Sequence, residues 1–440
     1  MPRQVSEAKP MNRQTRMVVL AASLFVFGYV AFGYVLGQAA NERAYRSLTV
    51  FSEVLQHIQQ DYVEEPDLRS VTAGALHGLL EALDPYSSYM SPAEFAEYKT
   101  KKNSGAVGES GLALSKRFGY IAVVAVLPGS PAEKAGLQHG DVLESIAGFT
   151  TREMSVGQAE NLLSGEPGST VRVSVVRRAA TEPLELTLTL ARLAPPKLYV
   201  ERFPTAPDSS GATTAFIRVP TLTEAIVAEL REQLLQLDRQ GVQRLILDLR
   251  DCALGENEEA ISAARLFLPS GTIARLRGQK YDTREFAADP VRVVWRHPVA
   301  VLISNSTSGP AEILAAAIAG NQRGKTLGTR SFGSASEQRL IPLEDGAALI
   351  LTVAKYYTPD GKPILDEGVA PTVEFEPSTE ETAPPTARER QSYRDDPLVR
   401  RALEVLQGGA AASTSTAPAG LAQPQTQSPE PEHREQPPAA

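Results

Sequence analysis

Metal and thiol chemistry have little to work with in this sequence. His57, His77, His139, His297 and His433 are scattered, with no HExxH motif and no i,i+4 pair, so their spacing excludes a zinc hydrolase. Cys252 is the lone cysteine, which rules out an intramolecular disulfide and CxxC metal sites. With no histidine near it in sequence, it reads as a small buried apolar residue rather than a nucleophile. No cofactor and no metal is implied. Hydroxyl chemistry would need a base, because a serine must lose its proton as it attacks. The stretch LISNSTSGPAEI (302–313) carries a helix start, with Gly309 acceptable at the N-cap, Pro310 in the first helical position and Glu312 in the third, where an acid favours the helix dipole. Lys325 lies in a GNQRGK turn at the far end of that helix and reads as a surface charge.

The elements that must position these residues form several modules. A chain of 440 residues is long enough for two or three cores. Its 42% hydrophobic and 22% charged content is that of a folded protein, and a net charge of -8 leaves no basic surface for nucleic acid. Residues 1–16 carry Arg3, Lys9, Arg13 and Arg16 against Glu7 alone. Met17 to Ala40 then runs without a charge, and as a helix it would span about 36 Å, enough to cross a bilayer. The positive-inside bias puts the N-terminus in the cytoplasm and the rest of the chain outside the membrane. The small residues Gly37 and Ala39 would also suit a signal-peptide cut, but the apolar run is longer than a signal core, which favours an uncleaved anchor. The expected location is therefore the cell membrane, single-pass, with the bulk periplasmic or extracellular.

Residues 41–103 read as helical, with Leu48, Phe51, Val54, Leu55 and Ile58, then Leu76, Leu79, Leu80 and Leu83 at helical spacing, ending in the turn LDPYSSYMSPAEF (83–95). Residues 104–194 change to short alternating runs, Tyr120 to Leu127, Thr170 to Val176 and Leu184 to Leu190, which predict a small β module. From 195 to 376, AFIRV, LILDLR and VAVLIS alternate with helices near 223–239, 256–267 and 310–319, an α/β core. Residues 377–407 hold one amphipathic segment, DPLVRRALEVL, and 408–440 have too few large apolar side chains to fold. The predicted fold class is multidomain, α/β and β, behind a transmembrane helix.

In the β module, PGSPAEKAGLQHGDVLESIAG (128–148) places Gly140-Asp141 in a tight turn, and Gly111-Leu112-Ala113-Leu114 is a Gly-led loop entering a strand. Together these resemble a PDZ domain. The resemblance implies that Gly111, Leu112, Ala113 and Leu114 receive a peptide C-terminus, and that the helix holding Val156, Ala159 and Leu163 flanks its last side chains.

Across residues 45–406, LDPYSSYM, the PDZ-like module, GVQRLILDLR, AEILAAAI, GTRSFG and VAKYYTPDGKPI…GVAPTVEF follow the order seen in the carboxy-terminal processing (tail-specific) proteases, which the chain resembles. That family uses a serine nucleophile, a lysine base and an assisting glutamine. By the resemblance the nucleophile position falls on Gly309 and the base position on Ser334, at the family spacing of 25 residues, with the glutamine kept as Gln338. Glycine cannot attack and serine cannot serve as that base. Leu254 replaces the first glycine of the family's oxyanion turn, leaving Gly255. Ser308 is the fallback nucleophile, one residue off register.

The expectation is a serine-peptidase fold that has lost Ser/Lys proteolysis, a pseudoprotease binding protein C-termini or unfolded peptide. The alternative is an active endopeptidase with Ser308 displaced into the nucleophile's role. The membrane, through residues 17–40, is one expected partner; a second copy or an active relative is another.

Overall fold

In this computed structural model the described residues are Met17, Ser23, Phe25, 48–104, 108–117, 119–152, 154–178, 182–203, 213–376 and 393–407. Two compact units are present, Met1–Leu79 and Leu80–Ala440. In the first, residues 48–61 are helical and expose Leu48, Phe51 and Val54. The helix Leu68–Glu81 follows, started by Asp67, whose carboxylate accepts from the Arg69 N–H and the Ser70 hydroxyl. Among the described residues no helix is long and apolar enough to cross a membrane. The anchor expected at 17–40 lies, apart from Met17, Ser23 and Phe25, outside the described residues.

The second unit is built on a six-stranded sheet in the order Tyr199–Phe203, Thr214–Arg218, Arg244–Asp248, Val299–Ile303, Lys325–Gly328, Val373–Glu374. All its pairs are parallel except the first. Val299–Ile303 is buried along its whole length, which explains why VAVLI is apolar without alternation: both faces are covered. One face takes the helices Glu224–Arg239, Asn257–Arg265 and Pro310–Gly320, through Leu230, Leu234, Ile261 and Leu314 among others. The other takes the C-terminal helix Pro397–Gln407 through Leu398, Val399 and Ala402, with Tyr393 stacked on Phe216 at 4.8 Å.

A second, antiparallel sheet was not foreseen from sequence. It joins Ser88–Met90, Ala348–Tyr357, Thr272–Gly278 and Tyr281–Ala287, with Ser336–Pro342 also paired to Ala348–Tyr357. LDPYSSYM is thus both turn and strand: Asp84 accepts from the Tyr86 and Ser87 N–H groups, and Ser88–Met90 then pairs with residues 348–350.

The third sheet runs Leu112–Arg117, Tyr120–Val126, Val142–Ile146, Thr170–Val176, Leu184–Thr189. Helix Pro131–Ala135 is capped by Ser130 and closed by Gly136 at φ 88°, while helix Val156–Leu162 begins with a Ser155–Gln158 capping box. Asp141 of the Gly-Asp turn is buried against Arg177 at 2.7 Å.

Candidate active site

Open α/β sheets place their sites at the carboxyl ends of the strands. Here those ends are Asp248, Ile303 and Gly328, and the loops leaving them meet. After Ile303 the chain is held by Thr307, whose hydroxyl donates to the Leu249 carbonyl and accepts from the Ser304 N–H. Ser306 donates to Asp251, a non-glycine at φ 62°, which also takes the Arg218 guanidinium at 2.8 Å. Arg218 in turn donates to the Tyr393 hydroxyl at 2.6 Å.

Gly309 follows at φ 57°, ψ −118°, a conformation that a side-chain-bearing residue adopts only with strain. A Cβ there would still have room, its nearest neighbours being Ser334 Oγ at 3.6 Å and the Ala253 carbonyl at 3.9 Å. Positions 309 and 334, paired by the family resemblance, face each other in space. Neither carries a nucleophile with a base: Ser334 Oγ is 2.5 Å from Ser308 Oγ, so one hydroxyl meets another.

Glu312 organises both sides. It is fully buried and accepts from the Gly309, Gly333, Ser334 and Ala335 N–H groups and the Ser331 hydroxyl, at 2.5–3.2 Å. Burial pushes its carboxyl above the usual carboxylate value, and the bonds from Ser331, Ser334, Gly333 and Gly309 act against that rise. The residue read from sequence as a helix-dipole acid is therefore a staple joining the helix start to the 331–335 loop.

Gln338 does not join the group. It is exposed on strand Ser336–Pro342 just past a register shift, and its side chain makes no hydrogen bond to Ser334. Lys325 is exposed at the opposite end of its strand from the site. Cys252 has no exposure, and burial together with Asp251 and Asp248 pushes its thiol up, away from the thiolate a nucleophile needs. Gly255, at φ 133°, is bridged to Leu222, and a Cβ on it would lie 2.3 Å from the Leu222 carbonyl oxygen. That turn demands glycine at 255. Leu254 accepts from the Leu222 N–H through its carbonyl at 3.0 Å.

Sequence reasoning missed Tyr86. Its phenol comes against Ser115 and Ser334, and burial, with the Glu312 and Asp366 charges adding, pushes it well up, so it supplies no base. It sits inside LDPYSSYM, a stretch that sequence marks only as a turn.

In the β module, Gly111 at φ 79° has Ser130 so close that a Cβ would come within 2.3 Å of Ser130 Cβ. Leu112 and Leu114 share one buried cluster with Val156, Ala159 and Leu163. Ala113 points to the other face, as strand alternation requires.

The model of peptidase family S41 matches residues 213–375, that of the PDZ domain residues 123–177, and that of the activating protease CtpB N-terminal domain residues 35–93. A carboxyl-terminal-processing protease from Synechocystis sp. is 30% identical over 80% of this chain and 81% of its own length. The chain belongs to peptidase family S41, the carboxy-terminal processing proteases. Carboxy-terminal processing protease CtpA of Bacillus subtilis is 28% identical over 82% of this chain and 75% of its own. Among solved structures, the photosystem II D1 C-terminal processing protease is similar at 26% identity and a TM-score of 0.64, over 75% of this chain and 93% of that one. An S41 core with a PDZ domain and a helical N-terminal region is the architecture, as expected from sequence.

Proposed function

We propose that this S41 chain is a peptide-binding pseudoprotease of the cell envelope, anchored by residues 17–40, whose PDZ domain engages protein C-termini or unfolded peptide. The observation that carries the reading is Gly309: its backbone holds a turn that suits glycine, its Cβ position looks at Ser334 across 3.6 Å, and neither residue brings the nucleophile or the base. Leu254 in the oxyanion turn and the exposed position of Gln338 support it further. Purified residues 41–440 are expected not to cleave an unstructured, tail-tagged substrate; cleavage that disappears in Ser308→Ala would overturn the reading. The double variant Gly309→Ser with Ser334→Lys tests whether the scaffold is merely disarmed. Proteolysis gained by it alone is the supporting result.

One contact favours a second reading, an active endopeptidase in which Ser308 attacks: its hydroxyl is hydrogen-bonded to Ser334. Among the described residues no lysine or histidine is hydrogen-bonded to that pair, so a fluorophosphonate probe is expected to leave Ser308 unlabelled. Assembly with a second copy or with an active relative is proposed through the helical region, where Leu48, Phe51 and Val54 are exposed. Sedimentation of the wild type against Phe51→Glu checks the self-association.

A further inference from the structure

Leu254 has a second set of neighbours besides the oxyanion turn. With Ala253 and Phe332 it lies against Ala113, Val124 and Ala125, the face of the PDZ sheet turned away from that domain's own core. The three PDZ residues are 9%, 2% and 3% exposed. Small side chains on a sheet leave a shallow apolar surface, and a side chain of leucine's size fills it where a glycine would leave Phe332 as the main contact. Beside it the Arg117 guanidinium stands 4.7 Å from the centre of the Phe332 ring.

The other side of the domain is fastened independently. Helix Pro92–Ser104 sits on the antiparallel core sheet through Phe95, with Met90 and Ala348. From that helix Glu94 accepts from the Gln158 amide at 2.7 Å, and Lys101 donates to the Asn161 carbonyl, the Asn161 side chain and the Ser164 carbonyl at 2.8–3.1 Å. Strand Leu112–Arg117 and helix Val156–Leu162, the two walls of the expected peptide groove, are thus tied to different parts of the core.

We propose that Leu254 is a docking residue: together with Phe332 it seats the PDZ domain on the core, and with the Pro92–Ser104 helix it fixes both walls of the groove in place. The same substitution that removes an oxyanion glycine supplies the seat. A groove held at both walls is ordered before peptide arrives, so binding orders fewer groups. This inference is independent of whether the site cleaves peptide.

The test uses the full chain carrying Ala125→Cys, with Cys252 as a buried internal control. Alkylation of the introduced thiol by iodoacetamide reads how often the seat opens. Slow alkylation in the Leu254 background is expected, about tenfold faster in Leu254→Ala and unchanged in Leu254→Met. Free-thiol reactivity with Leu254 intact, or an unchanged rate in Leu254→Ala, overturns the proposal. Arg117→Gln provides a milder second variant that leaves the apolar seat intact, and a rise of about twofold to threefold is expected from it. Thermal unfolding of every variant separates undocking from loss of fold.

Discussion

Glu312 and Gly309 stand three residues apart at the start of one helix, and they are held in opposite ways. Every acceptor site of Glu312 is engaged, and the 331–335 loop depends on it. Gly309 keeps only a backbone shape, and its partner position across the gap holds a hydroxyl bonded to another hydroxyl. A group that holds the fold and a position that does not can stand within one turn of helix. Burial is the reason. Removing Glu312 strands buried N–H donors, whereas changing residue 334 strands almost nothing.

That contrast can be broken by measurement. Glu312→Ala should give the largest loss, about 4–5 kcal/mol, because several buried donors lose their acceptor together; urea unfolding followed by circular dichroism reads it. Arg250→Met should cost about 3–4 kcal/mol, since it leaves buried Asp248 and Asp396 without the guanidinium between them.

The second variant also changes the pH dependence. Burial pushes the Asp248 carboxyl up, but Arg250 and then Arg218 bring it below its ordinary 3.8. A folded pKa below the unfolded one gives stability present above about pH 4 and lost as pH falls through the folded value. In Arg250→Met burial acts with much less opposition, so stability should instead decline as pH rises from about 4 toward neutrality. Unfolding midpoints measured across that range distinguish the two slopes.

Gly309→Ala should cost less, about 1–2 kcal/mol, all of it backbone strain, because the Cβ has room. Ser334→Ala should be the mildest, about 1 kcal/mol or less, from one lost hydroxyl partner. A Ser334→Ala loss as large as that of Glu312→Ala would end the contrast.

Much of this was legible in the sequence. The parallel strands read clearly because AFIRV, LILDLR and VAVLIS are buried on both faces and are apolar except for Arg218, Asp248 and Arg250 near their carboxyl ends and the terminal Ser304. The pairing of 309 with 334 was legible through the family resemblance. The antiparallel sheet was not, because YDTREFA and SEQRLIP are exposed over most of their length and show no clean apolar alternation. Tyr86 and Asp251 were hidden for a different reason: each acts through a partner far along the chain, Ser334 for one and Arg218 for the other. The staple role of Glu312 was masked by a simpler explanation, since an acid in the first turn of a helix needs no buried partners to make sense.

The closing of the sheet's second face by Pro397–Gln407 bears on how the protein comes to be made. Arg250 is neutralised in part by Asp396, which lies 146 residues further along, and Arg218 waits for Tyr393, 175 residues further. During synthesis the central strands emerge with one apolar face bare, and Arg250 and Arg218, though paired with Asp248 and Asp251, still lack Asp396 and Tyr393. The core therefore cannot finish folding until Pro397–Gln407 has left the ribosome, and a chain released before that point would be left with an exposed sheet that invites aggregation.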